Sequence, residues 1–434
     1  MNILLATHNF YPYYQGGTEV YVLHLAKHLL GLGHHVQIIS ALDEVLVQSN
    51  DMIYNDANIL ICQHLYEGIS IYGVFTKSVQ TPHIYSRNSK EYADSYVDFF
   101  KFKDYDLLHL NGFTTTIGLD IIFALKTLNP NLKLITSYHT AISDPKETLT
   151  FGNTLMEKPQ YTNNTADLLS YKLQLPYWLI KPFVAVMPNT YFKKLPAMFN
   201  IKHLVKLSLE SFKELADLTD EWWVYSDGIK NQLLNIGVKD NIIKKERHGI
   251  SPVFFQKNHV HTLKKIHLFS GRPIAIKGIK TLLKAWLSLK QDNSSELWLT
   301  ATPISNDNRI QQLMNKTKLR NDVKWLGALN QVELAEVYRK VDYVIVPSEC
   351  YEIGPLVIHE AIASGCRVIA SDIGGCKELL NHYNMKESQF ITGDSDDLKR
   401  KIMGSGKNSQ VIEHKVSSFT EHFERLIAKS AVYA

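Results

Sequence analysis

The chain has 434 residues, 45% of them apolar and 21% charged, with only 14 Pro and 22 Gly. That composition belongs to a folded chain too long for one ordinary core, so two or three domains are expected. The formal net charge of +4 excludes a dedicated nucleic-acid binder, although local basic patches suit an anionic substrate.

Short apolar runs alternate with helical patterns. "NILLAT" (2–7) reads as a buried strand. A Gly-containing loop leads to "EVYVLHLAKHLLGLG" (19–33), where Val20, Leu23, Ala26 or Lys27, and Leu30 fall near helical spacing. Gly31 and Gly33 stop that helix, and "HHVQIIS" (34–40) is the next strand. Strand, helix, strand at this spacing implies a right-handed crossover and a parallel sheet. Strands at 58–64, 106–112, 133–139 and 221–227 continue the series, with helices near 117–127 and 228–235. A second series starts at "KKIHLFSGR" (264–272) and runs through strands at 296–301, 323–327, 342–348 and 367–372. Its helices are expected over 278–290, 306–319, 331–341 and 355–364, and an amphipathic helix over 411–429 closes the chain. Two parallel α/β series predict two Rossmann-like domains, with ligands at the strand C-termini. The polar stretch around 251–263 is the linker candidate.

Four places carry chemistry. Gly16 and Gly17 lie between the first strand and the first helix, where backbone can approach a phosphate or sugar closely; a plain turn capped by Thr18 is the alternative. In "SGRPIAIKGI" (270–279), Arg272 ends a strand and Lys277 precedes Gly278 and a helix. Such a pair can clamp a diphosphate, Arg as a planar fork and Lys as a point charge; two solvated cations are the plainer reading. "PSECYEIGPLVIHEA" (347–361) places Glu352 in a loop and Glu360 one turn beyond Leu356, with Pro355 suited to the first helical position. The helix start offers free N–H groups at 356–358, while the two acids could equally be a solvent-facing helix acid and a loop acid near the dipole.

The block 323–380 resembles the donor-binding half of retaining GT-B glycosyltransferases of family four. It carries that family's Glu, seven residues, Glu-Ala, and a downstream Gly374, Gly375 and Glu378. Gly16-Gly17, "SYHT" with His139, "RHGIS" (247–251) and "GRPIAIKG" follow in the family's order. The resemblance implies an α/β fold of two Rossmann-like domains facing across a cleft. Residues 1–255 would form the acceptor-side domain with a helical insertion about 145–220. Residues 256–410 would bind the nucleotide sugar, and 411–434 would form a C-terminal helix crossing back to the N-terminal domain.

The same resemblance implies that Arg272 and Lys277 hold the donor diphosphate and that Glu360 binds the ribose hydroxyls. Glu352 and His139 would be the catalytic contacts to the transferred sugar. Amides of Gly354, Leu356 and Val357 would meet sugar or phosphate, with Gly16 and Gly17 approaching the diphosphate. The implied activity is a retaining, hexosyltransferase-like transfer from a nucleotide-diphosphate sugar to a hydroxyl on a glycan, lipid-linked or protein acceptor, in polysaccharide or glycoconjugate biosynthesis. Two cations and helix N-termini make a metal unnecessary, no DxD-like pair stands in the expected region, and no other cofactor is expected. A silent glycan-binding protein and a sugar synthase or phosphorylase-like enzyme are the alternatives on the same fold. Gly354-Pro355 departs from the family's usual aromatic-Gly pair, and Pro355 removes one N–H donor from the helix start.

From Leu168 to Leu209 there is no Asp or Glu, but there are six lysines among Trp178, Phe183, Phe192 and Phe199. This composition suits peripheral contact through 168–209 with an anionic membrane or a lipid-linked acceptor; a packed insertion with solvated lysines fits it too. The cysteines Cys62, Cys350, Cys366 and Cys376 include no CxxC pair, so reduced thiols are expected. The opening residues lack a basic n-region and no apolar run reaches membrane-spanning length, which together predict a cytoplasmic protein, on the inner membrane face if the 168–209 contact holds.

Overall fold

The computed structural model describes residues 1–47, 51–77, 90–113, 116–139, 166, 169, 175–187, 203, 210–255, 260, 262–291, 294–406 and 416–433. The chain divides into two compact units, Met1–Glu246 with Phe423–Ala434, and Arg247–His422. The second unit therefore begins at Arg247, upstream of the linker expected around 251–263. Most of the insertion expected at 145–220 lies outside the described residues.

The first unit is built on nine strands: β1 (Asn2–Thr7), β2 (His35–Ala41), β3 (Asp51–Asn55), β4 (Ile59–Tyr66), β5 (Ile69–Thr76), β6 (Leu107–Leu110), β7 (Lys133–Ser137), β8 (Glu221–Val224) and β9 (Ile243–Lys245). Their order is β3-β4-β5-β2-β1-β6-β7-β8-β9. β1, fully buried from Ile3 to Ala6, pairs in parallel with both β2 and β6. The sequence pattern treats 58–64 as one more parallel strand, but β4 runs antiparallel to both β3 and β5. Two turns reverse the chain: Asp56 Oδ1 accepts from the N–H groups of Asn58 and Ile59 at 2.8 and 2.7 Å between β3 and β4, and Glu67 and Gly68 take positive φ, 49° and 79°, in the two-residue turn between β4 and β5.

The first helix, Gly17–Gly31, has Gly16 in extended conformation at its N-cap and no side-chain cap, so Thr18 does not cap it. It buries Val20, Leu23 and Ala26 as the spacing predicts, together with Tyr21, Val22, Leu25 and Leu29, so the buried face is wider than the sequence stripe; only Leu30 of that stripe is exposed, at 40%. The closing helix spans Phe419–Lys429, and its Phe423 ring lies 5.1 Å from that of Tyr21.

The second unit has six strands: β10 (Lys265–Phe269), β11 (Ser295–Leu299), β12 (Val323–Trp325), β13 (Tyr343–Val346), β14 (Arg367–Ser371) and β15 (Gln389–Phe390). All pair in parallel in the order β12-β11-β10-β13-β14-β15, the 3-2-1-4-5-6 arrangement of a doubly wound fold. One apolar cluster joins Ile266, Leu268, Val344 and Val368 to Ile358, Ala361 and Leu380. Another joins Leu297, Leu299, Ile345 and Ile369 to Leu282, Trp286 and Met314. Alternate residues of one strand, Val344 and Ile345, thus enter different clusters, as the strand's two-residue period requires. The helix Gln331–Tyr338 starts with a capping box between Asn330 and Glu333. Pro355 is the N-cap of the helix Leu356–Ala363, one position before the place expected for it. The helices Gly374–His382 and Ser395–Gly404 were not anticipated from the sequence pattern.

Candidate active site

In a doubly wound sheet, strand order reverses at a switch point, and the loops leaving the two central strands there diverge to leave room for a ligand. In the second unit the reversal falls between β10 and β13. The loop after β10 carries Arg272 and Lys277; the loop after β13 carries Glu349 and Glu352. Topology therefore brings together two segments some 75 residues apart in the chain.

The contact between them is direct. Lys277 Nζ donates to Glu352 Oε1 at 2.5 Å, with side chains 28% and 15% exposed. Ser348 Oγ donates to the same carboxylate oxygen at 2.8 Å. Burial opposes the charge on Lys277, but the neighbouring carboxylate outweighs it and holds the ammonium above the ordinary lysine range. Burial likewise pushes the Glu352 carboxyl up, and Lys277, Ser348 and Cys350 overcome it, leaving a net shift down. Both groups are held charged. Arg272 is exposed and close enough for its like charge to oppose that of Lys277.

The loop geometry rests on glycines. Gly278 has φ +69°, and a Cβ there would stand 1.6 Å from the carbonyl oxygen of Pro347. Only glycine lets the Lys277 loop lie against the end of β13. Gly375 N donates to the Glu352 carbonyl at 2.5 Å, and a Cβ on Gly375 would come within 2.6 Å of that oxygen. The Gly374-Gly375 pair thus fixes the backbone of the Glu352 loop. Glu349 adds a second tie, accepting from Thr281 Oγ1 at 2.5 Å and donating its own N–H to Ile276 O at 2.8 Å. Sequence reading passed over Glu349 and Thr281; the acid beside Ser348 at a strand end was the available signal.

Glu360 is not solvent-facing, and among the described residues no cation pairs with it. It is 6% exposed, and Tyr338 OH donates to its Oε2 at 3.4 Å. Burial pushes its carboxyl up to about 7, with the Tyr338 hydroxyl pulling the other way. Tyr338, fully buried at the end of the preceding helix, was not anticipated either. Gly354 stands in the loop between the acids, and Leu356 and Val357 form the first turn, whose N–H groups have no carbonyl one turn back within the helix.

In the first unit the switch point lies between β1 and β6, both parallel to their neighbours there. Gly16 and Gly17 open the helix after β1, and both are exposed. Asn111 and Gly112 follow β6, and Asn111 N donates to Ala6 O at 2.6 Å. His139 follows the next strand, β7. Its ring stacks on Tyr225, with centroids 4.9 Å apart and planes at 22°, and meets Tyr21 edge-on at 4.7 Å. Burial pushes the imidazole down to about 3, so it is neutral at physiological pH.

Two Rossmann-type units, each with chemistry-bearing loops at its switch point, define the GT-B class of glycosyltransferases. The model described as Glycosyl transferases group 1 matches residues 251–413, and the one described as Glycosyltransferase Family 4 matches residues 15–173. The chain belongs to this family of glycosyltransferases. An uncharacterised glycosyltransferase of Methanocaldococcus jannaschii is 31% identical over 171 residues, 36% of this chain and 43% of that protein. The match thus spans less than half the length of that curated relative. Among solved structures, Anabaena HepE in complex with UDP and glucose superposes with TM-score 0.57 at 14% identity, covering 100% of this chain and 95% of that one. Sucrose-phosphate synthase from Thermosynechococcus elongatus gives 0.55 at 18% identity, covering 93% and 88%. At these identities the likeness is one of fold.

Proposed function

We propose that the protein is a retaining glycosyltransferase that moves a sugar from a nucleoside-diphosphate donor to a hydroxyl of a glycan, lipid-linked or protein acceptor, in polysaccharide or glycoconjugate assembly. The observation that carries this reading is the Lys277–Glu352 pair, two shielded charges at the switch point of the second unit. A pure glycan-binding surface has no need of a shielded ammonium there.

In the reaction, the bond between the anomeric carbon and the distal phosphate oxygen breaks, and its electrons stay on that oxygen. Lys277, Arg272 and the first-turn amides of Leu356 and Val357 meet the charge that develops on the leaving diphosphate, which lowers the barrier electrostatically. Two cations supply this without a metal. Retention follows either from attack of the acceptor hydroxyl on the face the diphosphate is leaving, the diphosphate oxygen taking its proton, or from a covalent glycosyl intermediate on a carboxylate that the acceptor then displaces. Glu352 faces the anomeric region, Glu360 accepts from the ribose hydroxyls, His139 contacts the donor sugar, and Gly16, Gly17 and Gly354 give backbone access. HepE was solved with UDP and glucose, which makes UDP-sugars the first donors to try. A thermal-shift series with UDP, ADP and GDP and their glucose or mannose conjugates tests the reading, since ligands bound to the native state raise Tm. No shift with any nucleoside diphosphate overturns it.

The reading extends to a membrane-surface location. No described helix is long and apolar enough to cross a membrane. Of the segment 168–209 only Leu169, 175–187 and His203 are described, and the rest of that expectation lies outside the described residues. The helix Tyr177–Val186 buries Ile180 and Val184 and exposes Trp178 (70%), Phe183 (60%) and Val186 (80%) beside Lys181. Apolar and aromatic groups next to a lysine suit the interface of an anionic bilayer.

A further inference from the structure

We infer that Tyr225 and Tyr21 are positioning residues for His139, a stacked ring and an edge-on ring that together fix the plane of its imidazole. The inference deepens the proposed function, resting on His139 as a contact to the donor sugar.

The cradle is assembled from four separate elements of the first unit. Tyr21 comes from the first helix, His109 from β6, Ser137 from the end of β7, and Tyr225 from the turn after β8. Tyr21, Ser137 and His109 are fully buried, and Tyr225 is 2% exposed. The Tyr225 hydroxyl donates to the Tyr21 hydroxyl at 2.8 Å, and the two rings meet at 62° with centroids 5.4 Å apart. The Ser137 hydroxyl, at the end of β7, lies 2.7 Å from His109 Nε2. His109 in turn stands edge-on to Trp223 at 4.6 Å, and Trp223 Nε1 donates to Glu221 Oε1 at 2.7 Å. Ring contacts and short hydrogen bonds from β6, β7 and β8 therefore pack the wall behind the two rings that hold His139. The Tyr225–Tyr21 hydrogen bond favours one arrangement of the two rings, because breaking it leaves a buried hydroxyl unpaired in a low-dielectric interior.

The consequence is for the hydrogen bond His139 can make. An imidazole free to turn would present its ring nitrogens to a sugar hydroxyl in many orientations. Clamped between two rings, it presents one. The titratable groups that face it, Tyr21, Tyr225 and His109, are all uncharged near neutrality: burial pushes both tyrosines up and His109 down to about 3. His139 is thus kept a neutral hydrogen-bonding group. Preorganisation of this kind acts on turnover more than on donor affinity, because orientation matters most where bonds are changing.

The experiment combines ring NMR with kinetics. With ¹⁵N-labelled histidine, and His139→Gln to assign the signal, the wild-type ring is expected not to titrate between pH 5 and 8. A wild-type midpoint near 6.5 overturns the inference without any cradle variant having to fold. In Tyr225→Leu the ring is expected to titrate within that range. Its kcat should fall about 10- to 100-fold with donor KM changed less than about 3-fold, read as nucleoside-diphosphate release from UDP-glucose, ADP-glucose or GDP-mannose, whichever the wild type turns over. Tyr225→Phe keeps the ring and should stay within about 3-fold of wild type. The double variant His139→Ala/Tyr225→Leu should be no slower than His139→Ala alone, since Tyr225 acts through His139. Multiplying losses overturn the inference. If His139→Ala retains full activity, the sugar-contact reading fails, while the NMR titration still decides whether the cradle holds the ring.

Discussion

The two units each place an ionisable group just beyond the end of a central parallel strand and treat charge in opposite ways. In the second unit the switch point holds Lys277 and Glu352 ionised, each kept charged by the other against the cost of burial. In the first unit His139, one strand away from the switch point at the end of β7, is held neutral against two tyrosine rings. Charge that must meet a diphosphate has to be present before the ligand arrives, and a counter-ion is what makes a shielded ammonium tolerable. A group that meets a sugar hydroxyl needs direction rather than charge, and stacked rings supply direction.

The largest expected effect tests the charged side. Lys277→Ala should lower turnover about 10³-fold, the scale seen when a preorganised stabiliser of developing charge is removed. Steady-state kinetics on a variant with a native circular dichroism spectrum checks this, and near-wild-type rates would remove Lys277 from the diphosphate. The variant also strands Glu352 without its partner, so adding Glu352→Gln should restore Tm but not activity.

Gly278→Ala comes next and acts on the scaffold of the same side. Its Cβ would sit 1.6 Å from Pro347 O at a positive φ, so the Lys277 loop must shift. A stability loss of about 2–4 kcal/mol in urea unfolding is expected. A loss below about 0.5 kcal/mol would show that the loop's approach to β13 is not required.

Glu360 sharpens the contrast, because it is an acid treated as the first unit treats its histidine. Its folded-state carboxyl titrates at about 7, above the ordinary glutamate range. The folded protein therefore keeps a proton that the unfolded chain has lost. This contribution to stability is complete below the unfolded pKa and disappears as pH rises through about 7. Glu360→Gln should accordingly raise stability at pH 8 by about 2–3 kcal/mol relative to its effect at pH 4. On the proposed role of Glu360 as acceptor for the ribose hydroxyls, donor binding has the opposite slope: affinity should fall roughly tenfold between pH 8 and 6 in calorimetric titrations with the nucleoside diphosphate. Tyr338→Phe, which removes the hydroxyl that lowers this pKa, should move that fall to higher pH. A pH-independent affinity would detach Glu360 from the ribose.

The smallest effect concerns the exposed helix. Trp178→Ala with Phe183→Ala should weaken sedimentation with phosphatidylserine vesicles by about 3- to 10-fold at low salt while leaving turnover of a water-soluble donor unchanged. A wild type that fails to sediment would dismiss the membrane contact.

Much of the second unit was legible from residues alone. Its strands are short apolar runs bounded by Gly, Pro or polar caps, and its charged groups stand at strand ends where the pattern breaks. The first unit was harder to read. The antiparallel pairing of β4 and β5 depends on a two-residue turn at Glu67-Gly68 that lacks the usual Asn-Gly or Asp-Gly signal. His139 was found by resemblance, while Tyr21, Ser137, His109 and Tyr225 look in sequence like ordinary core residues.

The sequence by itself determined two parallel α/β series and the residue types at their strand ends, because hydrophobic period and turn chemistry are local properties. Only the tertiary structure decided which ends meet. Lys277 finds Glu352 because strand order reverses between β10 and β13, Glu360 is buried because its helix turns that face onto Tyr338, and His139 is clamped because four distant elements converge on it. Pairing, burial and ring orientation are non-local, and they are what convert residue types into an ionised pair, a protonatable acid and a fixed neutral imidazole.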